Sequence, residues 1–268
     1  MKAKLSTSLI ISTYNWPKAL SICLKSVLNQ HILPDEVIIA DDGSNEETRI
    51  LIDNFRESFP MPLIHIWHED IGFRKTIILN KAIAVSSGIY IIQIDGDIII
   101  HPKFIEDHIS EAEPITLIKG SRVLLTEELT DHIIRNNKIN FSVLSKGIGN
   151  KINALRIPFL SSFFRGNPKK TNDIRGCNFA FWKTDFIAVN GYNINLTGWG
   201  HEDIELAARL VNSGVKRKAV KFKAICFHLH HKLFSREDEN SNLNAYYNTV
   251  ENGITKCPSG FNIVNNFQ

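Results

Sequence analysis

Short continuous apolar runs, closed by glycine, proline or acidic turns, alternate along this chain with stretches whose apolar residues fall at helical spacing. Leu9 to Thr13 reads as a strand, and Pro17 opens a helix whose Leu20, Cys23, Leu24, Val27 and Leu28 share one face. A second strand, Glu36 to Ala40, ends at Asp41-Asp42-Gly43. Ser44 with Glu47 then makes the capping-box pattern that starts a helix through Phe55. Leu63 to His68 is a third strand, and a helix from Lys75 to Val85 leads to Ile89–Ile100. That last run, IYIIQIDGDIII, reads as one buried strand carrying two carboxylates. The alternation of strand and helix with short connections predicts an α/β fold with a mostly parallel central sheet flanked by helices.

Beyond residue 100 the pattern loosens. Pro102 begins a helix through about Ile109, and Ile115 to Leu124 reads as a further strand. Glu127 to Thr171 is less regular and is punctuated by Gly147, Gly149, Pro158, Gly166 and Pro168. Order returns at Gly176 to Lys183. The stretch GWGHEDIELAARLVNSG is a glycine turn feeding a helix from about Glu202 to Asn212. Lys221 to His230 is the last expected strand, and the tail from Ser235 is polar and rich in asparagine. The organisation expected is one structural domain in four portions: 1–124, an insert at 125–173, 174–234, and a tail at 235–268.

In open α/β sheets ligands gather at the carboxyl ends of the strands. Three such ends here are polar: Ser12-Thr13-Tyr14-Asn15, Asp41-Asp42 and Asp95-Gly96-Asp97. Two carboxylates one residue apart can hold a hard divalent cation, and Gly96 between them leaves room for a close-approaching ligand. Asp41 or Asp42 can accept hydrogen bonds from a nucleotide base or ribose, with Tyr14 facing the base. Arg74 and Lys75, at the start of a helix, bring positive charge to the same rim. Trp199 lies between two glycines, a platform for the apolar face of a sugar. Glu202 and Asp203 begin the helix that follows, where a positioned carboxylate can act as a general base toward a hydroxyl. Strand alternation puts His228 and His230 on one face, as a metal site requires.

Composition narrows the class. The chain has 268 residues, 43% hydrophobic and 22% charged, which is ordinary for a globular protein. No run reaches the length of a transmembrane helix, and the N-terminal apolar run is too short for a signal peptide. Four scattered cysteines without CxxC pairing point to reduced thiols and a cytoplasmic setting. The net charge of +3 conceals an asymmetry: residues 135–175 carry nine Lys or Arg and a single acid, Asp173. A basic block mixed with apolar residues points either to peripheral contact with an anionic membrane, at the inner face of the cytoplasmic membrane, or to a lid. Nucleic acid is not an expected partner.

Taken together, STYNWPKALSICLKSVLNQ, EVIIADDGSNEET, GFRKTIILNKAI, IDGD, GCNFAFWKTDFIAVNGYN and GWGHEDIEL resemble a family 2 glycosyltransferase of the GT-A fold. The C-terminal part resembles the galactosyltransferase-type domain shared with β-1,4-galactosyltransferases and bacterial chondroitin polymerases. The likeness covers residues 7–124 and 174–232. It implies that Thr13, Tyr14, Asp41, Asp42, Asp95 and one of Arg74 and Lys75 bind a UDP-sugar donor. It also implies that Asp97, with His228 or His230, binds Mn²⁺ or Mg²⁺. Asp203 matches the family's catalytic base, and Glu202 and Trp199 line the acceptor site. The expected reaction is inverting transfer from UDP-galactose, UDP-N-acetylgalactosamine or a similar donor to a glycan or lipid-linked acceptor, in bacterial surface polysaccharide or lipopolysaccharide synthesis. Two rival readings use the same residues: a catalytically silent binding module and a metal-dependent nucleotide-sugar hydrolase.

Overall fold

A computed structural model of the chain describes residues 5–139, 141–231 and 239–265. Among the described residues ten strands, numbered in chain order, build two sheets. They are β1 (Thr7–Thr13), β2 (Glu36–Asp41), β3 (Leu63–Trp67), β4 (Tyr90–Asp95) and β5 (Ile98–Ile100). There follow β6 (Thr116–Lys119), β7 (Ser121–Leu124), β8 (Phe179–Trp182), β9 (Lys216–Ala219) and β10 (Ile225–His228). Seven form the main sheet in the order β3-β2-β1-β4-β8-β6-β9, and β5-β10-β7 form a small second sheet. β1, β2, β3 and β4 pair in parallel, while β8 runs antiparallel to both β4 and β6. The fold is the expected α/β arrangement, a mostly parallel central sheet flanked by helices.

Strand alternation divides the interior into separate cores. Leu9 and Ile11, Val37 and Ile39, and Ile92 and Ile94 face the helix Pro17–Leu28, which contributes Leu20, Cys23, Leu24 and Val27. Ile10, Ile38 and Ile91 point the other way, onto Ile78, Leu79, Ala82 and Ile83 of the helix Lys75–Val85 and onto the helix Glu202–Asn212. Each such side chain, sealed on both sides, contributes about 1.5–3 kcal/mol. A third core packs Ile99, Val123, Ile225 and Phe227 of the small sheet against Ile22 and against Ile133, Ile148 and Ala154.

Several expectations are corrected at element ends. The run Ile89–Ile100 is two strands in different sheets, because the chain turns at Gly96-Asp97. Ile115–Leu124 likewise breaks at Gly120, where a side chain would collide with Asn178. The helix after Pro102 spans Phe104–Glu111, and the last strand closes at His228. Ser44 does not cap a helix. Asn45 precedes the helix Glu46–Arg56, and the Ser44 hydroxyl accepts the Asn15 N–H at 2.8 Å instead. β9 has no apolar pattern (KRKA), yet Arg217 and Lys218 are buried through pairing with Asp173, Glu111 and Glu113. The sequence pattern assigns no element to the polar, asparagine-rich tail. Its start, at residues 235–238, lies outside the described residues, but Glu239–Glu251 and Phe261–Asn265 are helices, the first packed on Glu202–Asn212. Cys23, Cys177, Cys226 and Cys257 are buried free thiols. Among the described residues no helix is long and apolar enough to cross a membrane.

One buried ion pair fixes the helix Glu202–Asn212. Arg209, fully buried, donates to both Glu205 carboxylate oxygens at 2.8 and 2.7 Å. Its Nη1 also donates to the carbonyls of Val189 and Gly191, each at 2.7 Å. Replacing Arg209 by Met strands the Glu205 carboxylate in a dry interior. Urea unfolding is expected to show a loss of about 3–5 kcal/mol. A loss below about 1 kcal/mol would mean that the pair is no more than a surface-type bridge.

Candidate active site

Parallel register gathers the strand ends. Thr13 lies beside Asp41 and Ser12 beside Asp95, so three polar termini share one rim. Above it opens a cavity of about 1030 Å³. Its walls include Ser12, Thr13, Tyr14, Asp42, Lys75, Asp95 and Asp97 from this rim. Trp199, Glu202, Asp203, His228, His230 and His231 come from the other half of the chain.

Lys75 is the central cation. Its side chain is 17% exposed, and its Nζ donates to Asp95 Oδ1 at 2.7 Å and lies 3.7 Å from Glu202 Oε1. Burial works against the charged amine, but Asp95 and Glu202 outweigh it and hold its pKa well above the ordinary lysine value. For Asp95 burial works upward, and Lys75 and the Ser12 hydroxyl, 2.6 Å away, bring the carboxyl below its usual range. Glu202 goes the other way: burial raises it, with Lys75 opposing and Asp203 adding like charge. Of the two basic residues expected at this rim, Lys75 reaches the cavity. The Arg74 side chain turns away to the Glu69 carbonyl, and its backbone N–H donates to Asp42 Oδ2 at 2.9 Å.

The Asp41-Asp42 pair divides similarly. Asp41 is fully buried, with Oδ1 accepting the Ser44 N–H at 2.8 Å and Oδ2 2.9 Å from His65 Nε2. It braces the turn and lines no part of the cavity, which corrects the expectation of a ligand contact there. Asp42 does line the cavity, although His68 Nε2 already lies 2.7 Å from its Oδ1. Tyr14 stands at the mouth, 41% exposed, and donates to Asp70 Oδ2 at 2.9 Å. Gly96 packs closely against the end of β1. A side chain there would come within 3.0 Å of Thr13 Oγ1, while its N–H donates to the Ser12 carbonyl at 2.7 Å.

Asp97, His228 and His231 bring one ligand atom each to within 4.8 Å of one another. Asp97 Oδ2 lies 3.5 Å from His228 Nε2 and 3.3 Å from His231 Nε2. The His228 Nδ1 sits 2.8 Å from the Leu229 carbonyl, which fixes the tautomer with Nε2 as the free acceptor. Asp97 Oδ1 is buried without a hydrogen-bond partner, an acceptor in a place where one is costly to leave unmet. Burial raises the Asp97 carboxyl, His228 opposes and Asp95 reinforces. A carboxylate, two imidazoles and an orphaned oxygen fit a divalent cation.

His230 was expected to share this face, and it does not. β10 ends at His228, so strand alternation no longer applies beyond it. His230 is exposed and its N–H donates to Thr130 Oγ1 at 2.8 Å. His231 takes the position beside Asp97, and only the run of histidines in HLHH hinted at it.

Asp203 faces the cavity at the start of its helix, after Gly200 and His201 with φ of 102° and 70°. Its Oδ2 accepts the Gly176 N–H at 2.8 Å, and the Gly176 carbonyl is held by Gln93 Nε2 at 3.2 Å. Gln93 is held in turn by the Tyr192 hydroxyl at 2.9 Å. Burial raises the Asp203 carboxyl above the ordinary range, with the Gly176 hydrogen bond and Arg175 opposing. Gly176 and Arg175, like Arg122, lie on the cavity wall without having been singled out in the sequence.

A family model described as glycosyl transferase family 2 matches residues 8–174, more than half of the sequence. The chain belongs to that family. A second model, described as the N-terminal domain of galactosyltransferase, matches residues 162–232 of this family 2 glycosyltransferase. Hyaluronan synthase of Pasteurella multocida is 26% identical over 231 residues, 77% of this chain and 23% of that protein. Chondroitin synthase of Escherichia coli is 25% identical over 241 residues, 82% of this chain and 34% of that one. The chain therefore spans only about a quarter to a third of the length of these curated relatives. Among solved structures, the mannosyltransferase PcManGT of Pyrobaculum calidifontis, in complex with GDP-Man and Mn²⁺, superposes with a TM-score of 0.65 at 16% identity. That match covers 94% of this chain and 65% of the other. S. aureus TarS 1-349 in complex with UDP gives 0.60 at 14% identity, over 90% and 64% of the two chains. At these identities the likeness establishes the GT-A fold alone.

The histidine assignment is testable without turnover. Titrating Mn²⁺ into the protein by calorimetry is expected to show His231→Ala weakening binding at least about tenfold, as loss of a metal-site partner does. His230→Ala should stay within about twofold of the parent. The reverse ranking would reinstate His230.

Proposed function

We propose that this family 2 enzyme is an inverting, metal-dependent transferase that moves a sugar from a UDP-sugar to a hydroxyl of a glycan or lipid-linked glycan acceptor. The observation that carries this reading is the convergence of Asp97, His228 and His231, the Lys75–Asp95 pair, and Asp203 on one cavity. The family's GT-A fold and the ligands of its solved neighbours, GDP-Man with Mn²⁺ and UDP, support a nucleotide-sugar donor.

Asp97, His228 and His231 would hold the cation, Mn²⁺ or Mg²⁺. Such an ion supplies positive charge against a nucleotide diphosphate. The protein's own groups do the rest. Thr13, Tyr14 and Asp42, at the ends of β1 and β2, offer hydrogen bonds to the nucleoside. Lys75 keeps Asp95 and Glu202 anchored. Trp199 presents a ring to the acceptor sugar, beside Glu202. Asp203 accepts the proton of the attacking hydroxyl on a carboxylate lone pair left open by its backbone hydrogen bonds. Burial raises its pKa, which strengthens it as a base. UDP-galactose and UDP-N-acetylgalactosamine head the donor classes to test, with bacterial surface polysaccharide or lipopolysaccharide synthesis as the setting.

A panel of UDP-sugars with Mn²⁺ and an oligosaccharide acceptor mixture tests the reading through UDP release. Acceptor-dependent release is expected. Release at an equal rate without acceptor would make the protein a hydrolase, and binding without release a silent module.

Asp203→Asn is expected to keep UDP binding and lose about 10²–10⁴-fold in transfer rate. Because a base must be deprotonated, kcat/KM of the parent should fall as pH drops through the Asp203 pKa, on a limb above the ordinary carboxylate range. Loss of less than about tenfold in the variant, with that limb unchanged, would remove Asp203 as the base.

A further inference from the structure

The basic insert divides its apolar residues sharply between the interior and the surface. Ile148 and Ala154 are buried in the third core, and Phe141 and Val143 pack against it. Leu144, Ile152, Leu155, Phe159, Phe163 and Phe164 are exposed, three of them strongly: Leu144 at 85%, Phe159 at 75% and Phe163 at 79%. Phe159, Phe163 and Phe164 belong to one 3₁₀ helix, Pro158–Phe164. Isolated exposed apolar residues need no explanation, but six within 21 residues of chain do.

Charge accompanies them. From His132 to Asn172 there is no carboxylate, while eight Lys or Arg are present. Arg156 pairs with Asp107, Arg165 with Glu113 and Lys170 with Asp173. Lys138, Lys146, Lys151 and Lys169 are exposed and have no ion-pair partner among the described residues. Lys221 extends the same surface, its Nζ 5.0 Å from the Phe164 ring centre and 5.2 Å from that of Phe222.

The surface adjoins the active-site cavity. Phe164, Lys221 and Asn153 line a second cavity of about 460 Å³, and Arg122 and Arg175 line both cavities. At Phe164 the exposed face therefore borders a cavity that shares a wall with the active site.

We propose that the face from Leu144 to Phe164 is a membrane-binding surface for anionic phospholipid. Its aromatic and aliphatic side chains enter the headgroup boundary while the unpaired lysines meet the phosphates. A neutral protein partner would leave those lysines without complement, and a polyanion would leave the phenylalanines in water. The inference stands apart from the proposed reaction.

Co-sedimentation of the full chain with vesicles decides it. Vesicles of phosphatidylcholine with phosphatidylglycerol should retain the protein at low salt, phosphatidylcholine alone should retain far less, and high salt should release it. Each lysine in contact is expected to contribute about fivefold in partitioning. The triple variant Lys146→Glu, Lys151→Glu, Lys169→Glu should therefore lose well over tenfold. Phe159→Ser with Phe163→Ser should lose at least about tenfold, because the apolar anchor is gone. All these positions are exposed, so thermal unfolding should be unchanged. Protein left in the supernatant at low salt would overturn the proposal, as would vesicle binding indifferent to the paired Phe variant. Self-association in sedimentation velocity, abolished by the Phe pair and unaccompanied by vesicle binding, would assign the face to a second copy instead.

Discussion

A single ammonium group holds the centre of this molecule together. Asp95, Asp97, Glu202 and Asp203 converge on one cavity, and burial alone would drive such carboxylates toward protonation. Lys75 stands between the two halves of the chain, hydrogen-bonded to Asp95 and within ion-pair range of Glu202. Its charge lets Asp95 remain ionised at low exposure and moderates Glu202. Glu202, Asp97 and Asp203 are all shifted upward by burial. Of the four acids, only the one hydrogen-bonded to Lys75 is shifted downward.

That cation also shows how the two sheets cooperate. Asp95 ends β4 in the main sheet, while Asp97, two residues on, introduces β5 in the small one. β5 pairs antiparallel with β10, matching Ile98 with His228, so the strand turn that separates the two aspartates also delivers the histidine. The Leu229 N–H closes the arrangement on the Asp97 carbonyl at 3.0 Å. Thr13 leaves little room behind Gly96, so a side chain added there would have to displace it by a few tenths of an ångström.

Much of this was legible in the sequence because it follows from periodicity and from where parallel strands end. The buried runs of β1, β2 and β4 and the acids after them placed the rim, and the glycine turn before Glu202 placed the opposite wall. What was not legible depends on tertiary partners. Asp41 and Asp42 are adjacent and chemically identical, yet His65 and Ser44 draw one inward while the other reaches the cavity. β9 escaped notice because its lysine and arginine are buried by acids far away in sequence. His231 required knowing that β10 stops at His228. The polar tail gave no apolar stripe to read, since its helix Glu239–Glu251 buries Asn242, Tyr246 and Thr249.

That tail helix has a bearing on how such a protein can change. Asn242 donates to the carbonyls of Thr197 and Gly200 at 2.9 and 3.0 Å, bracketing Trp199 from behind. Both family models stop at or before residue 232, so this brace comes from a segment their shared pattern does not include. The ring that lines the cavity and the carboxylates around it are consequently under separate control. Mutational drift in the tail can tilt Trp199 and reshape the opening while Asp95, Asp97 and Asp203 keep their positions. The shape of the opening can thus change without any change in the carboxylates beneath it.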